Sequence, residues 1–138
     1  MKLKAKIINR GTVFGHDDYL TEGMLDVCVK NAKDISLYLD GGERFLKIGK
    51  CQLRRRSNSV YAEAEIDKPN EEATKILLDQ FKLVAIYPMM FIGYKPVQNF
   101  VAAEKEIDHV AINCCVLTYS DCNDELKPNK VKLINEEK

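Results

Sequence analysis

Cysteine and histidine side chains are the candidates for covalent chemistry in this chain, because a thiol becomes an effective nucleophile when a base lies within hydrogen-bond reach. Cys115 and His109 fall on the same face of a predicted strand, yet six residues at about 3.3 Å each separate them by roughly 20 Å. An apolar strand would also raise the pKa of the Cys115 thiol. This pair is therefore excluded as a catalytic dyad unless the strand bends back.

His16 is the other possible base, and it lies in a glycine-flanked loop beside Asp17 and Asp18. A loop histidine could approach a distant cysteine, although a lone histidine in such a loop is more often solvated. The remaining cysteines are Cys28, Cys51, Cys114 and Cys122, and most of the cysteines are interpreted as small buried hydrophobic side chains.

Patterns for metals and phosphates are absent from the sequence. The cysteines form no C-x-x-C pair, and two histidines are too few for a zinc-site spacing. The acidic run Asp121–Glu125 lacks the glycine and the alternating ligands of a calcium loop, so it is interpreted as a solvated turn. Neither a phosphate-binding glycine loop nor a nucleophile elbow is present. We therefore predict no cofactor and no metal.

Length and charge restrict the class of protein. The 138 residues are the usual size of one domain, predicted to span 1–138, and no stretch approaches the roughly 20 apolar residues of a membrane helix. Lysine plus arginine equals aspartate plus glutamate at 21 each, so no overall field attracts nucleic acid or an anionic membrane. The local cluster Arg54–Arg56 precedes a turn and is interpreted as a solvated hairpin tip. The odd cysteine count suggests a reducing compartment.

Hydrophobic periodicity predicts mostly strands. Alternation in residues 2–9, 35–40 and 60–67 is typical of half-buried strands, and 45–56 with 60–67 predicts a hairpin. Residues 110–118 are apolar on both faces, so this strand should be central. The proline at 88 indicates an edge, a bulge or a break in the strand that contains it. A short last strand is predicted at the sequence VKLI.

Two helices are predicted between the strands. The first has Thr21 as its N-cap, and the second begins after Pro69 with an acidic first turn. Its apolar stripe is predicted at Ala73, Ile76, Leu77, Gln80 and Phe81. The fold class is therefore α+β, mainly β: a mixed or antiparallel β-barrel or sandwich of about six or seven strands with two helices.

The order of these features resembles the prohead proteases of tailed bacteriophages, serine proteases that mature capsids and share a fold with herpesvirus assemblins. Each motif is weak alone, and the resemblance depends on their shared order and spacing over most of the chain. The matching segments are Gly11–Phe14 with Asp17 and Asp18, Gly23–Leu25, Leu39–Asp40, Ile48–Lys50, Ser59–Ile66, Phe91–Tyr94 and Asn113–Asp121.

The departures from the family fall on the residues that would do its chemistry. The resemblance places the family's histidine base at Leu39, its serine nucleophile at Phe91 and the acid that orients the histidine at Asn113. Leucine cannot accept a proton and phenylalanine cannot attack a carbonyl, so the triad is lost. The segment Met89–Lys95 is interpreted as a strand that once presented a nucleophile, or else as a core strand of an unrelated small β domain.

The resemblance and the lost triad together imply a non-catalytic virion protein, a pseudoenzyme that binds the capsid shell as an auxiliary or decoration protein after assembly in the host cytoplasm. The expected partners are the major capsid protein or other virion proteins, without nucleic acid or membrane. Two alternatives remain open: an active maturation protease with Cys115 as a relocated nucleophile, and an assembly-stage scaffold partner. Residue types enriched at interfaces are Tyr38, Tyr61, Tyr87, Tyr94 and the hairpin arginines.

Overall fold

A computed structural model describes residues 1–14, 20–32, 34–94 and 107–134, and only the backbone of 92–94 and 107–109. Strands dominate these ranges, and the two α-helices lie between strands. The strands are β1 Lys2–Asn9, β2 Thr12–Val13, β3 Ile35–Asp40, β4 Phe45–Arg56, β5 Ser59–Ile66, β6 Leu83–Tyr94, β7 Ile107–Ser120 and β8 Lys132–Ile134. The helices are α1 Glu22–Asn31, α2 Glu71–Gln80 and two 3₁₀ helices, Lys68–Asn70 and Asp124–Asn129.

The strands form one mixed sheet that is nearly closed into a barrel. Its order is β2-β1-β5-β4-β3-β7-β6, with β8 paired to β1. The β3–β7 pairing is parallel, and the other pairings between these strands are antiparallel. The predicted fold class, α+β and mainly β with a mixed or antiparallel barrel, is confirmed.

The chain after the second 3₁₀ helix spans the gap between β6 and β1. Lys130 forms an antiparallel bridge with Ala85 of β6, and the Val131 amide donates to the Val84 carbonyl at 2.8 Å. A few residues later, β8 pairs with β1, with Leu133 opposite Leu3. One short segment therefore contacts strands on both sides of the gap.

Asn129 lies at the centre of this closure, and the residue is 2 % exposed. Its Nδ2 donates to the carbonyl of Ile86 in β6 at 3.0 Å and to the carbonyl of Ile7 in β1 at 3.4 Å. Its Oδ1 accepts from Nδ2 of Asn9 at 3.3 Å. The register of β1 shifts between Lys6 and Ile8, so the bulged Ile7 turns its carbonyl away from β5. A buried polar side chain is thus satisfied by the two strands it joins.

The strand predictions hold in detail. β5 buries its predicted face, since Val60 and Ala62 are both fully buried while Tyr61 between them is partly exposed. β7 is central between β3 and β6, and Cys115, Val116 and Leu117 are buried on both of its faces.

Pro88 lies in an edge strand, as predicted. β6 ends the strand order, and Pro88 is opposite Cys115 of β7 within an uninterrupted strand. A proline ring has no amide hydrogen to donate, and the edge position removes the need for a second ladder. The register irregularity falls one residue later, between Met89 and Met90.

The first helix matches its prediction, whereas the second helix turns a different face to the core from the one predicted. Thr21 caps α1, its hydroxyl accepting from the Met24 amide at 3.4 Å. In α2 the predicted stripe is partly wrong: Ile76 is 49 % exposed, whereas Thr74 is buried. Thr74 can be buried because its hydroxyl donates to the Asn70 carbonyl at 2.8 Å. The core-facing residues of this region are Thr74, Leu78 and Phe81, the last packed on Tyr119 with ring centroids 4.3 Å apart.

Replacing Asn129 tests the closure. Asn129→Leu keeps the volume but leaves two buried carbonyls without their donor, so we expect the free energy of unfolding to fall by about 1–3 kcal/mol. Urea denaturation monitored by circular dichroism measures this change. Asn31→Leu, at the exposed end of α1, is the control and should change stability by no more than about 0.5 kcal/mol. Equal effects of the two substitutions would contradict the role of Asn129.

Two glycine-to-alanine substitutions should act in opposite directions. A Cβ at Gly49 would lie 2.1 Å from the backbone oxygen of Glu65, so Gly49→Ala should destabilise the fold by about 1–3 kcal/mol. A methyl group at Gly23, in the first turn of α1, would meet no atom within 4 Å, and Gly23→Ala should stabilise by up to about 0.5 kcal/mol. Thermal unfolding of both variants gives the comparison. Tolerance of alanine at residue 49 would overturn the close β4–β5 approach.

Candidate functional site

The positions that the resemblance places at the base and the nucleophile are far apart. Leu39 in β3 is level with Leu117 of β7, whereas Phe91 in β6 is level with Ala111. Six residues of β7 separate these levels, or about 20 Å. Leu39 packs against the core, and Phe91 is 58 % exposed. A histidine and a serine at these two positions would not form a dyad.

The third position, Asn113, lies in a bulge of β7. The ladder passes from Met89 opposite Cys114 to Met90 opposite Ile112, so Asn113 has no partner in the register. The residue is exposed. Asn113 is therefore a surface residue beside β6 and is not buried in a position from which it could orient a base.

Cys115, the alternative nucleophile, is fully buried. A hydrogen bond with Cys51, together with burial, raises the pKa of the Cys115 thiol well above its ordinary value. Burial also raises the pKa of Cys28 to about 11, and it raises the pKa of Cys114. A nucleophilic cysteine needs a lowered pKa and access to substrate, and Cys115 has neither.

Neither histidine side chain lies within the part of the chain that the structure describes. His16 lies outside the described residues. The backbone of His109 is opposite Gly93 in the β6–β7 ladder, and its side chain is also outside the described part of the chain. His109 and Cys115 belong to one strand, β7, as predicted.

Aromatic and sulfur side chains gather on the outward side of β3, β7 and β6. Tyr38 of β3 and Tyr87 of β6 are both paired with Val116 of β7, one on each side of it, and Val116 is fully buried. Met89 is 40 % exposed and Phe91 is 58 % exposed, on the same side of β6 as Tyr87. We call Tyr38, Tyr87, Met89, Phe91 and Cys114 the aromatic face.

The aromatic face has a polar margin. Burial, the Asp40 carboxylate and Cys114 raise the pKa of Tyr87, in that order of importance, so its phenol stays protonated and can donate a hydrogen bond. Its ring lies 5.4 Å from that of Phe14, centroid to centroid. A tyrosine held in this way presents a fixed apolar ring together with a polar tip, which suits an interface. The side chain of Tyr94 is outside the described residues.

The arginine cluster at the β4–β5 hairpin is not uniformly solvated, and the prediction of a solvated tip is partly wrong. The Arg55 side chain is only 22 % exposed and forms ion pairs with Asp26 and, at 3.7 Å, with Glu22 of α1. Arg54 contacts Glu63 at 3.2 Å. Arg55 therefore links the hairpin to the first turns of α1, whereas the Arg54 side chain is exposed and its ion pair lies within the hairpin.

A basic groove of about 480 Å³ lies where β8, β1 and the β4–β5 hairpin meet the second 3₁₀ helix. It was not among the predictions from sequence, although the lysines alternating along β1 and those at 127–132 were a signal. Six of its lining residues are cationic, and none of those that line it is acidic. The lining residues are Lys4, Ala5, Lys6, Arg56, Tyr61, Lys127, Pro128, Lys130 and Lys132.

Among the residues that the structure describes, no group of three or more His, Cys, Asp or Glu side chains is placed to hold a metal ion. No helix in those same ranges has the length and apolar character needed to cross a membrane. Comparison of the chain with protein-family models, with curated proteins and with solved structures found no match.

The burial of the thiols predicts the order in which they react. In the native protein at neutral pH, a maleimide should label exposed Cys122 first and leave Cys28, Cys51 and Cys115 unmodified until the protein unfolds. Burial in the folded protein favours the neutral form of the Cys28 thiol. Its contribution to the free energy of unfolding is therefore present below pH 9 and is lost as the pH rises towards about 11. Mass spectrometry of peptides after timed labelling gives the order. Fast native labelling of Cys115 would contradict its burial.

Proposed function

We propose that the protein is a non-catalytic virion protein of a tailed bacteriophage, with a prohead-protease-like ancestry, that binds the capsid shell as an auxiliary or decoration protein. The observation that carries the binding role is the aromatic face, where Met89 and Phe91 are 40 % and 58 % exposed on the outward side of the sheet. The order of motifs along the chain supports the phage setting and the ancestry, although the separation of Leu39 from Phe91 means that the chain does not preserve the geometry of the family's catalytic site. The partners under this proposal are the major capsid protein or other virion proteins.

The composition of the aromatic face supports a protein partner. Tyrosine, phenylalanine and methionine are enriched at the centres of interfaces. The aromatic rings bury much area at low entropic cost, and the flexible methionine side chain adapts to the partner's surface. They lie on neighbouring strands, so their spacing is fixed before binding. On a capsid, weak contacts of this kind add through the many copies of the shell protein.

The two alternatives differ in what they require. A maturation protease with a relocated cysteine would need an accessible thiolate, and Cys115 is fully buried with a raised pKa. An assembly-stage scaffold partner could use the same aromatic face, but it would leave the head before maturation. Copy number in mature particles therefore separates the scaffold from the decoration protein.

Substitution of the aromatic face tests the proposal. Met89→Lys and Phe91→Lys place a charge where apolar area would be buried, so each should weaken binding to shells of the capsid protein encoded by the same genome at least about fivefold. Co-sedimentation with those shells measures binding. Val27→Lys, at an α1 residue that is 47 % exposed, is the matched control and should bind normally.

Three outcomes would overturn the proposal. Wild-type protein that fails to sediment with the shells has no capsid role of this kind. Equal weakening with Val27→Lys would mean that the aromatic face is not the contact. Cleavage of capsid precursor that disappears in Cys115→Ala would make the protein a protease. Quantitative mass spectrometry of purified mature particles should find many copies.

A further inference from the structure

The basic groove concentrates positive charge in a chain whose cationic and acidic residues balance overall, at 21 of each. Lys4 of β1 stands directly opposite Lys132 of β8. Like charges at directly opposed positions of a sheet destabilise it. The fold therefore maintains a local repulsion at this place, which a bound anion would relieve.

Acidic neighbours compensate this charge incompletely. Glu63 is opposite Lys4 in the β1–β5 ladder, but Nε of Arg54 lies 3.2 Å from its carboxylate. Asp124 pairs with Lys127 at 2.8 Å. Within the described ranges, no carboxylate lies at ion-pair distance from Lys6, Lys130 or Lys132. The groove thus keeps several cations available for a ligand.

Tyr61 lies among these cations and adds an aromatic surface. It is opposite Lys6 in the β1–β5 ladder, and the Nζ atoms of Lys4 and Lys6 lie 4.9 Å and 5.5 Å from its ring centroid. The ring attracts both ammonium groups and restricts where they stand. A row of cations beside a partly exposed ring is the combination that binds the backbone and the bases of a nucleic-acid single strand.

The composition of the groove favours a single strand over other polyanions. An anionic bilayer offers negative charge but no base for the ring of Tyr61. A duplex keeps its bases stacked inside, so it would offer phosphates but nothing for the ring of Tyr61. A single phosphate would use only part of a site lined by six cationic residues.

We propose that the basic groove is a binding site for single-stranded nucleic acid, in which the lysines and Arg56 contact the phosphates and Tyr61 stacks on a base. This site goes beyond the proposed capsid role and revises the expectation, drawn from net charge alone, that nucleic acid is not a partner. It uses β8, β1, the β4–β5 hairpin and the second 3₁₀ helix, whereas the aromatic face uses β3, β7 and β6, so either function can fail without the other.

Fluorescence anisotropy with a labelled oligothymidylate tests the site. Wild-type protein should bind at about 50 mM salt and lose affinity steeply towards about 200 mM. Lys4→Gln and Lys132→Gln should each weaken binding and reduce the slope of log affinity against log salt by about 0.7 for each phosphate that is no longer neutralised. Lys75→Gln, at an exposed residue of α2, makes the same charge change and should leave the slope unaltered.

The ring of Tyr61 is tested separately from charge. Tyr61→Leu should weaken binding about fivefold or more without changing the salt slope, because it removes stacking while every phosphate keeps its cation. Tyr61→Phe keeps the ring and should bind as the wild type does. Lys132→Gln should also raise the melting temperature at low salt by removing the like-charge pair, which shows that its weaker binding is not unfolding.

Four results would overturn the proposal. The first is absence of binding at low salt, and the second is equal weakening by Lys75→Gln. The third is that a duplex of the same length binds as tightly as the single strand and that Tyr61→Leu has no effect. The fourth is displacement of the oligonucleotide by phosphatidylserine vesicles. The third would indicate a purely electrostatic duplex contact, and the fourth a membrane surface. Binding that follows the groove variants and the Tyr61 ring would establish the site.

Discussion

Asn129 joins two strands that ordinary strand pairing leaves apart. Its amide donates to the carbonyls of Ile86 and Ile7, and the residues that follow it pair first with β6 and then with β1. A buried amide between two strands is stable only while both acceptors are in place, so it couples the two sides of the gap. That coupling supports the pairing of β8 with β1, and Lys132 of β8 lines the basic groove.

Closure also depends on local bends in the sheet. The register shifts at Ile7 in β1, at Ile48 in β4 and at Asn113 in β7. Bulges of this kind increase twist and curl a sheet, which brings its ends together. Two of them have a second effect, since the bulge at Ile7 supplies an acceptor for Asn129 and that at Asn113 brings a polar side chain beside the aromatic face. Curvature and surface chemistry are thus set by the same residues.

Most elements of the fold could be predicted from the sequence, because alternation and capping are local. The helix cap at Thr21 and the hairpin of β4 and β5 are examples. The α2 stripe was misplaced because the hydroxyl of Thr74 is satisfied within its own helix segment, which lets a polar residue face the core. Arg55 was expected in solvent because its partners on α1 are distant in the chain. Family motifs alone could not show that Leu39 and Phe91 lie at different levels of β7.

By itself, the sequence determined where the longer strands and the two α-helices lie and, for most of them, which face is apolar, since these depend on neighbours a few residues away. Only the tertiary structure decided which faces meet. The basic groove combines lysines of β1 and β8, from opposite ends of the chain, and their meeting depends on the register set where the barrel closes. Net charge does not show this arrangement, because it adds together cationic and acidic side chains that the fold places in different regions of the surface.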